Sequence, residues 1–192
     1  MNEVIFEPKE HKYFSGKREF PSITFLLKHF GMCPDYDRFG NDTARDFGTH
    51  AHAATALLDQ NNLGEYHPDM EPWLNGYRKF LHVHQPEWTA IEKPFISFVW
   101  GFAGMPDRFG MMSRKTSIVE IKFGAENDSH ELQTAGQQIL IEEYYSVRVQ
   151  ERYSLYVKPN DFRLVKHSGK TDKSVFLGMV QTYSWKQKHN LI

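Results

Sequence analysis

From Val4 to Phe20 apolar and polar positions alternate over short distances. Ile5/Phe6 and Tyr13/Phe14 are separated by polar residues and Ser15-Gly16-Lys17 offers a turn, which predicts a short β-hairpin. Ser22 then caps a helix carrying Phe25, Leu26 and Phe30, and Gly31 and Pro34 stop it. A helical period returns near Asp42 or Thr43, where Phe47, Ala51, Ala54 and Leu58 recur at three- and four-residue spacing to about Gln60. Ala44, Gly48, Ala51, Ala53 and Ala54 keep that helix slim enough to lie close to another element. Trp73, Leu74, Tyr77, Phe80 and Leu81 predict a third helix over Glu71 to Gln85.

From Ala90 the texture changes to strands. Ile91 to Val99, Gly101 to Phe109 and Ser117 to Phe123 are β-rich runs bounded by glycine or by the polar turn Ser113-Arg114-Lys115, and they predict a three-strand meander. A helix over Ser129 to Tyr144 follows, with Leu132, Ala135, Ile139 and Leu140 inward, then strands over Arg152 to Val157 and Phe162 to Val165, and a closing helix over Ser174 to Lys188. This order predicts an α/β fold with a mixed sheet between helices. No repeat, low-complexity stretch or long Gly/Ser linker divides the chain, so residues 1–192 are expected to form one domain: 1–40 a hairpin and helix, 43–157 the core, 158–192 a basic strand and helix.

With 40% hydrophobic and 15% aromatic residues in 192, the chain can bury a full core, which excludes disorder as its dominant state. The net charge of −1 hides a split. Tyr145 to Ile192 holds nine Lys/Arg against three Asp/Glu, or +6, and Met1 to Tyr144 holds 14 against 21, or −7. An acidic body suited to metal would then stand beside a basic segment able to meet an anionic polymer. The single cysteine, Cys33, excludes a disulfide framework, a four-cysteine zinc site and a four-cysteine iron-sulfur cluster within the chain. No apolar run approaches bilayer length and Met1 to Glu10 is too polar for a signal peptide, so a soluble, cytoplasmic protein in a reducing compartment is expected, with no membrane partner.

Three pieces of sequence carry chemistry. Gly104-Met105-Pro106-Asp107 is placed at a strand end and Glu120-Ile121-Lys122 within the next strand, where alternation sends Glu120 and Lys122 to one face and Val119, Ile121 and Phe123 to the core. The 13-residue separation of Asp107 and Glu120 suits an antiparallel hairpin that sets the two carboxylates side by side, a hard-oxygen site for Mg²⁺. Lys122 would orient or deprotonate the attacking water and offset charge on a pentavalent phosphate. The third piece, Gly48-Thr49-His50-Ala51-His52, puts a backbone-close glycine and the His52 imidazole on one helix face.

The ordered set Gly48-x-x-x-His52, Gly104-Met105-Pro106-Asp107, Glu120-Ile121-Lys122 and Gln133 resembles the RecB-type branch of the PD-(D/E)XK nuclease superfamily, in particular small phage-encoded exonucleases related to mitochondrial genome maintenance exonuclease. His11-Lys12-Tyr13, Gly16 and Pro21-Ser22-Ile23-Thr24 also resemble the lead-in of those phage enzymes. The resemblance implies a restriction-endonuclease-like core, with Mg²⁺ or Mn²⁺ at His52, Asp107, Glu120 and the Ile121 carbonyl, and Asp107, Glu120 and Lys122 catalytic. Gln133 would match the glutamine of the family's Gln-x-x-x-Tyr motif, which contacts DNA backbone near the scissile phosphate. The tyrosine position is Gln137 here, a departure, and the cysteines of the iron-sulfur members are missing, which implies a cluster-free enzyme.

The activity implied is that of a DNA exonuclease on ends or single strands in phage recombination or repair, with a single-strand annealing or binding protein as the partner to look for. A restriction-like or structure-specific endonuclease is the nearest rival, and a non-catalytic nucleic-acid-binding module the rival of another class. Gly48, Thr49 and Gln133 are the DNA-contact candidates beside the metal, and Lys158, Lys166 and Lys170 those of the basic segment. Aromatics there, such as Tyr156 and Trp185, read as core or as a stacking platform. Glu92, at the start of the strand before Asp107, reads as an exposed residue, the alternative being a carboxylate that supports the site without touching the metal. Gly169-Lys170-Thr171 lacks the first glycine of a phosphate-binding loop, Leu164 standing in its place.

Overall fold

The computed structural model describes residues 3–33 and 42–192, with backbone alone over 42–45. Pro34, expected to help stop the first helix, lies outside the described residues. The amino-terminal segment is a three-stranded antiparallel sheet of β1 (Ile5–Glu7), β2 (Lys12–Ser15) and β3 (Arg18–Phe20) instead of a two-stranded hairpin. The tight turn at Gly16, whose φ of 59° suits glycine, returns the chain so that Phe20 pairs with Tyr13. Ser22 caps α1 (Ile23–His29) as expected, its hydroxyl accepting from the Phe25 N–H at 3.0 Å. Gly31, at φ 65°, turns the chain out of the helix.

Helices α2 (Asp42–Asp59) and α3 (Glu71–His84) follow, with a 3₁₀ turn at Pro68–Met70 between them. The expected runs 91–99 and 101–109 each break in two: β4 (Glu87–Ile91) and β5 (Phe95–Ser97), then β6 (Phe102–Gly104) and β7 (Arg108–Met112). Glu92 takes a left-handed φ of 44° and Pro106 has no N–H to give a ladder, so neither run stays straight. Strands β5 and β6 pair with each other in a separate two-stranded sheet. The remaining elements are β8 (Lys115–Lys122), α4 (Ser129–Tyr145), β9 (Glu151–Lys158), β10 (Asp161–His167) and α5 (Asp172–Lys188).

The central sheet has the order β10-β9-β8-β7-β4, parallel between β8 and β9 and antiparallel elsewhere. It is filled on both faces. Val119, Ile121, Leu155 and Val157 pack under Tyr77 and Phe80 of α3. Phe109 and Ile118 face Ile139 and Leu140 of α4, with α1 and α5 closing that cluster through residues such as Leu26 and Phe176. Each such side chain contributes about 1.5–3 kcal/mol by leaving water. Helix α3 reaches the β9–β10 turn only because Gly76 has no side chain: a Cβ there would lie 2.2 Å from the Lys158 carbonyl oxygen. The mixed α/β architecture, a mixed sheet flanked by helices, is the one the sequence predicts.

Candidate active site

Strand β8 places Glu120 and Lys122 on the face toward α4, and Val119 and Ile121 on the face toward α3, as alternation requires. One step beyond the Arg108–Val119 pair of β7 and β8, Asp107 comes beside Glu120, and its Oδ2 accepts the Ile121 N–H at 2.6 Å. Helix α2 brings His52 from the other side, Nδ1 standing 3.6 Å from Asp107 Oδ2 and the ring edge-on to Phe123. These residues line a cleft of about 560 Å³, with Gly48 and Thr49 on one wall, Gln133 and Gln137 on another, and Tyr13 and His11 of the amino-terminal sheet across the opening. A Cβ on Gly48 would meet no atom within 4 Å, so this glycine leaves the cleft open instead of admitting a neighbouring element.

The two carboxylates titrate apart. Burial, and then the charge of Glu120, pushes Asp107 well above the ordinary carboxylate value. Burial would raise Glu120 too, but the Lys122 ammonium and the Gln137 amide outweigh it and hold this carboxyl below its usual value. Lys122 is raised, since Glu120 and Asp107 outweigh its burial, and stays charged. Burial lowers His52 to about 4, leaving a neutral imidazole with a lone pair to offer.

Gln133 is tied into this network. Its amide nitrogen donates to Glu120 Oε1 at 2.6 Å, and Lys122 Nζ donates to both Glu120 Oε1 and Gln133 Oε1 at 2.9 Å. Gln137 donates to Glu120 Oε2 at 2.5 Å and is buried. Behind the site lies a group that sequence reasoning missed. Arg108 is fully buried and donates to Asp59 Oδ2 (2.5 Å), to the Asp107 carbonyl (2.8 Å) and to Thr55 Oγ1 (3.2 Å), which fastens α2 to the strand that carries Asp107. Tyr77 adds a hydrogen bond to Asp59 at 2.6 Å. Only the alternation of Arg108 with Phe109 hinted at this, since nothing in spacing links it to Asp59.

Glu92 differs from its reading as an exposed strand-start residue. It leaves β4 at its end, with its N–H on the Asp107 carbonyl at 2.9 Å, and lines the cleft. Single ligand atoms of His52, Glu92 and Asp107 lie within 4.8 Å of one another, the one such group among the described residues. One imidazole and two carboxylates form a donor set that fits a hard divalent cation.

Lys158, Lys166 and Lys170 are not among the residues that line the cleft. Lys166 pairs with Tyr153, toward the opposite end of the sheet from the Lys122–Tyr156 pair, and its ammonium meets Glu151 at 2.5 Å. Lys170 follows β10 in an exposed loop, and Lys158 is exposed at the end of β9. Tyr156 is buried and Trp185 is 57% exposed, so the aromatics of this segment divide between core and surface. No helix among the described residues is long and apolar enough to cross a membrane.

No protein-family model matches the sequence, and no curated protein does. Among solved structures, the chain is similar to a protein from Eubacterium rectale described as a putative exonuclease, with a TM-score of 0.50 and 11% identity over 91% of this chain and 77% of that one. An alkaline exonuclease from Laribacter hongkongensis matches with a TM-score of 0.37 and 13% identity, over 75% of this chain and 86% of that one. The first of these likenesses shows a shared fold, with a protein named as a nuclease.

Proposed function

We propose that the protein is a metal-dependent DNA nuclease, an exonuclease acting on DNA ends or single strands, with Mg²⁺ or Mn²⁺ held by His52, Asp107, Glu120 and the Ile121 carbonyl. The observation that carries this reading is the placement of Asp107 and Glu120 side by side in an open cleft, with Lys122 2.9 Å from Glu120. A bound divalent cation supplies Lewis acidity at the phosphate and lowers the pKa of a coordinated water. The chain's own residues do the rest. Lys122 stays protonated, which supports a role in orienting and balancing charge on the phosphate rather than in removing a proton. Gln133 and Gln137 hold the Glu120 carboxylate in one orientation, and Arg108 holds the Asp107 backbone. Gly48 and Thr49 offer the wall along which a sugar-phosphate backbone approaches.

The description of the neighbour that shares the fold as a putative exonuclease supports hydrolysis over the reading as a binding module, as does the presence of Asp107, Glu120 and Lys122 together in the cleft. The test is a time course on end-labelled linear, single-stranded and covalently closed circular DNA with Mg²⁺. An exonuclease degrades the linear and single-stranded forms and leaves the circle intact. Nicking of the circle would favour an endonuclease, and no cleavage of any form would overturn the enzyme.

A further inference from the structure

We infer that Glu92 is a protein ligand of the cleft's divalent cation, together with His52 and Asp107. This rests on the metal-dependent reading above and adds a residue to it.

The side chain has the chemistry for it. Its ligand atom lies within 4.8 Å of those of His52 and Asp107, a span that one ion bridges. Glu92 Oε1 is buried without a hydrogen-bond partner, a state that costs on the order of 1–3 kcal/mol unless something else satisfies the atom. Arg108 reaches it only as an ion pair: its Nη1 stands 3.6 Å away, beyond hydrogen-bond distance, and donates an N–H to the Asp107 carbonyl at 2.8 Å.

The backbone points the same way. Glu92 sits at φ 44°, a conformation a non-glycine residue adopts at a cost, and its N–H is pinned to the Asp107 carbonyl at 2.9 Å. A residue at the end of β4 is thereby turned into the cleft, where Asp107 faces it.

The state of Glu120 explains why a further carboxylate is needed. Of the roughly four acceptor positions of a carboxylate, Glu120 commits three: Oε1 to Lys122 and Gln133, and Oε2 to Gln137. One acceptor position remains for an ion. With Asp107 spending part of Oδ2 on the Ile121 N–H, Glu92 supplies a further carboxylate oxygen to a dication.

The experiment is Mn²⁺ binding to the intact protein, followed by electron paramagnetic resonance of the free ion, for wild type, Glu92→Gln and Asp107→Asn, with a melting curve for each. Glu92→Gln keeps the shape and removes the charge, so it should weaken Mn²⁺ by about tenfold or more with a melting curve that still shows a cooperative fold. Unchanged Mn²⁺ affinity in Glu92→Gln, with weakened affinity in Asp107→Asn, would overturn Glu92 as a ligand and leave the metal site standing. Wild type that binds no Mn²⁺ at millimolar concentration would overturn the metal site itself. If Glu92→Gln fails to fold, Glu92→Asp takes its place: as a ligand set back by one methylene it should bind Mn²⁺ more weakly than wild type, and wild-type affinity would overturn the assignment.

Discussion

The two ends of strand β8 both bury charge, and they handle it differently. At its start, beside Glu151 and Arg152 of β9, the charges find partners: Arg152 meets Asp172 at 2.6 Å, and Glu151 receives Lys115 and Lys166 at 2.5 Å each. Two carboxylates there face three cations, a balance of +1. At its end, Asp59, Glu92, Asp107 and Glu120 face Arg108 and Lys122 with His52 neutral, a balance of −2 when every carboxyl is ionised and −1 while Asp107 keeps the proton that burial favours. One end closes the fold and the other leaves negative charge uncompensated. A buried surplus of that size is costly unless a cation joins it.

Mutations at the two ends should therefore act in opposite ways. The largest effect is expected from Asp107→Asn, which should reduce cleavage below detection and yet raise the melting temperature of the metal-free protein at pH 8. Burial has raised the Asp107 carboxyl, so the folded state holds a proton that the unfolded chain releases, and stability falls as pH rises from the ordinary carboxylate value through the raised one. The amide removes that cost. Scanning calorimetry in chelator checks it, and a lower melting temperature would contradict it. Arg152→Met should do the reverse, destabilising the fold by about 3–5 kcal/mol by stranding the buried Asp172, while cleavage per folded molecule is kept. Urea unfolding combined with active-fraction measurement reads both.

Smaller effects test the cleft in finer detail. Lys122→Ala should slow single-turnover cleavage by about 10² or more with little change in metal affinity. Rescue of this variant by excess Mg²⁺ would move Lys122 from charge balance to metal binding. Gln137→Leu removes a donor from Glu120 and should cost about 10–100-fold in metal affinity or rate, as loss of a partner that orients a metal ligand does. Metal titration of the rate separates the two.

Much of this molecule was legible in the sequence where the reason for a residue is local. Ser22, the period of α2 from Phe47 to Leu58, and the alternation through Val119 and Ile121 each follow from neighbours a few residues away. The meeting of Asp107 with Glu120 was legible too, because a hairpin is a short-range device. What escaped depends on contacts distant in sequence or on backbone that breaks a pattern. Arg108 bonds to Asp59 across 49 residues, and the strand run containing Glu92 looks continuous until a left-handed residue turns it. The charge split singles out the carboxy-terminal lysines as a DNA path, but net charge carries no information on pairing, such as that of Lys166 with Glu151.

The most direct measurement is cleavage of end-labelled linear DNA by wild type and by Asp107→Asn purified identically, each with Mg²⁺ and with chelator. Products from wild type with Mg²⁺ alone, and none from the other three combinations, are the expected result. Cleavage that persists in chelator, or in Asp107→Asn with Mg²⁺ at the wild-type rate, would contradict a metal-dependent nuclease built on the Asp107 cleft.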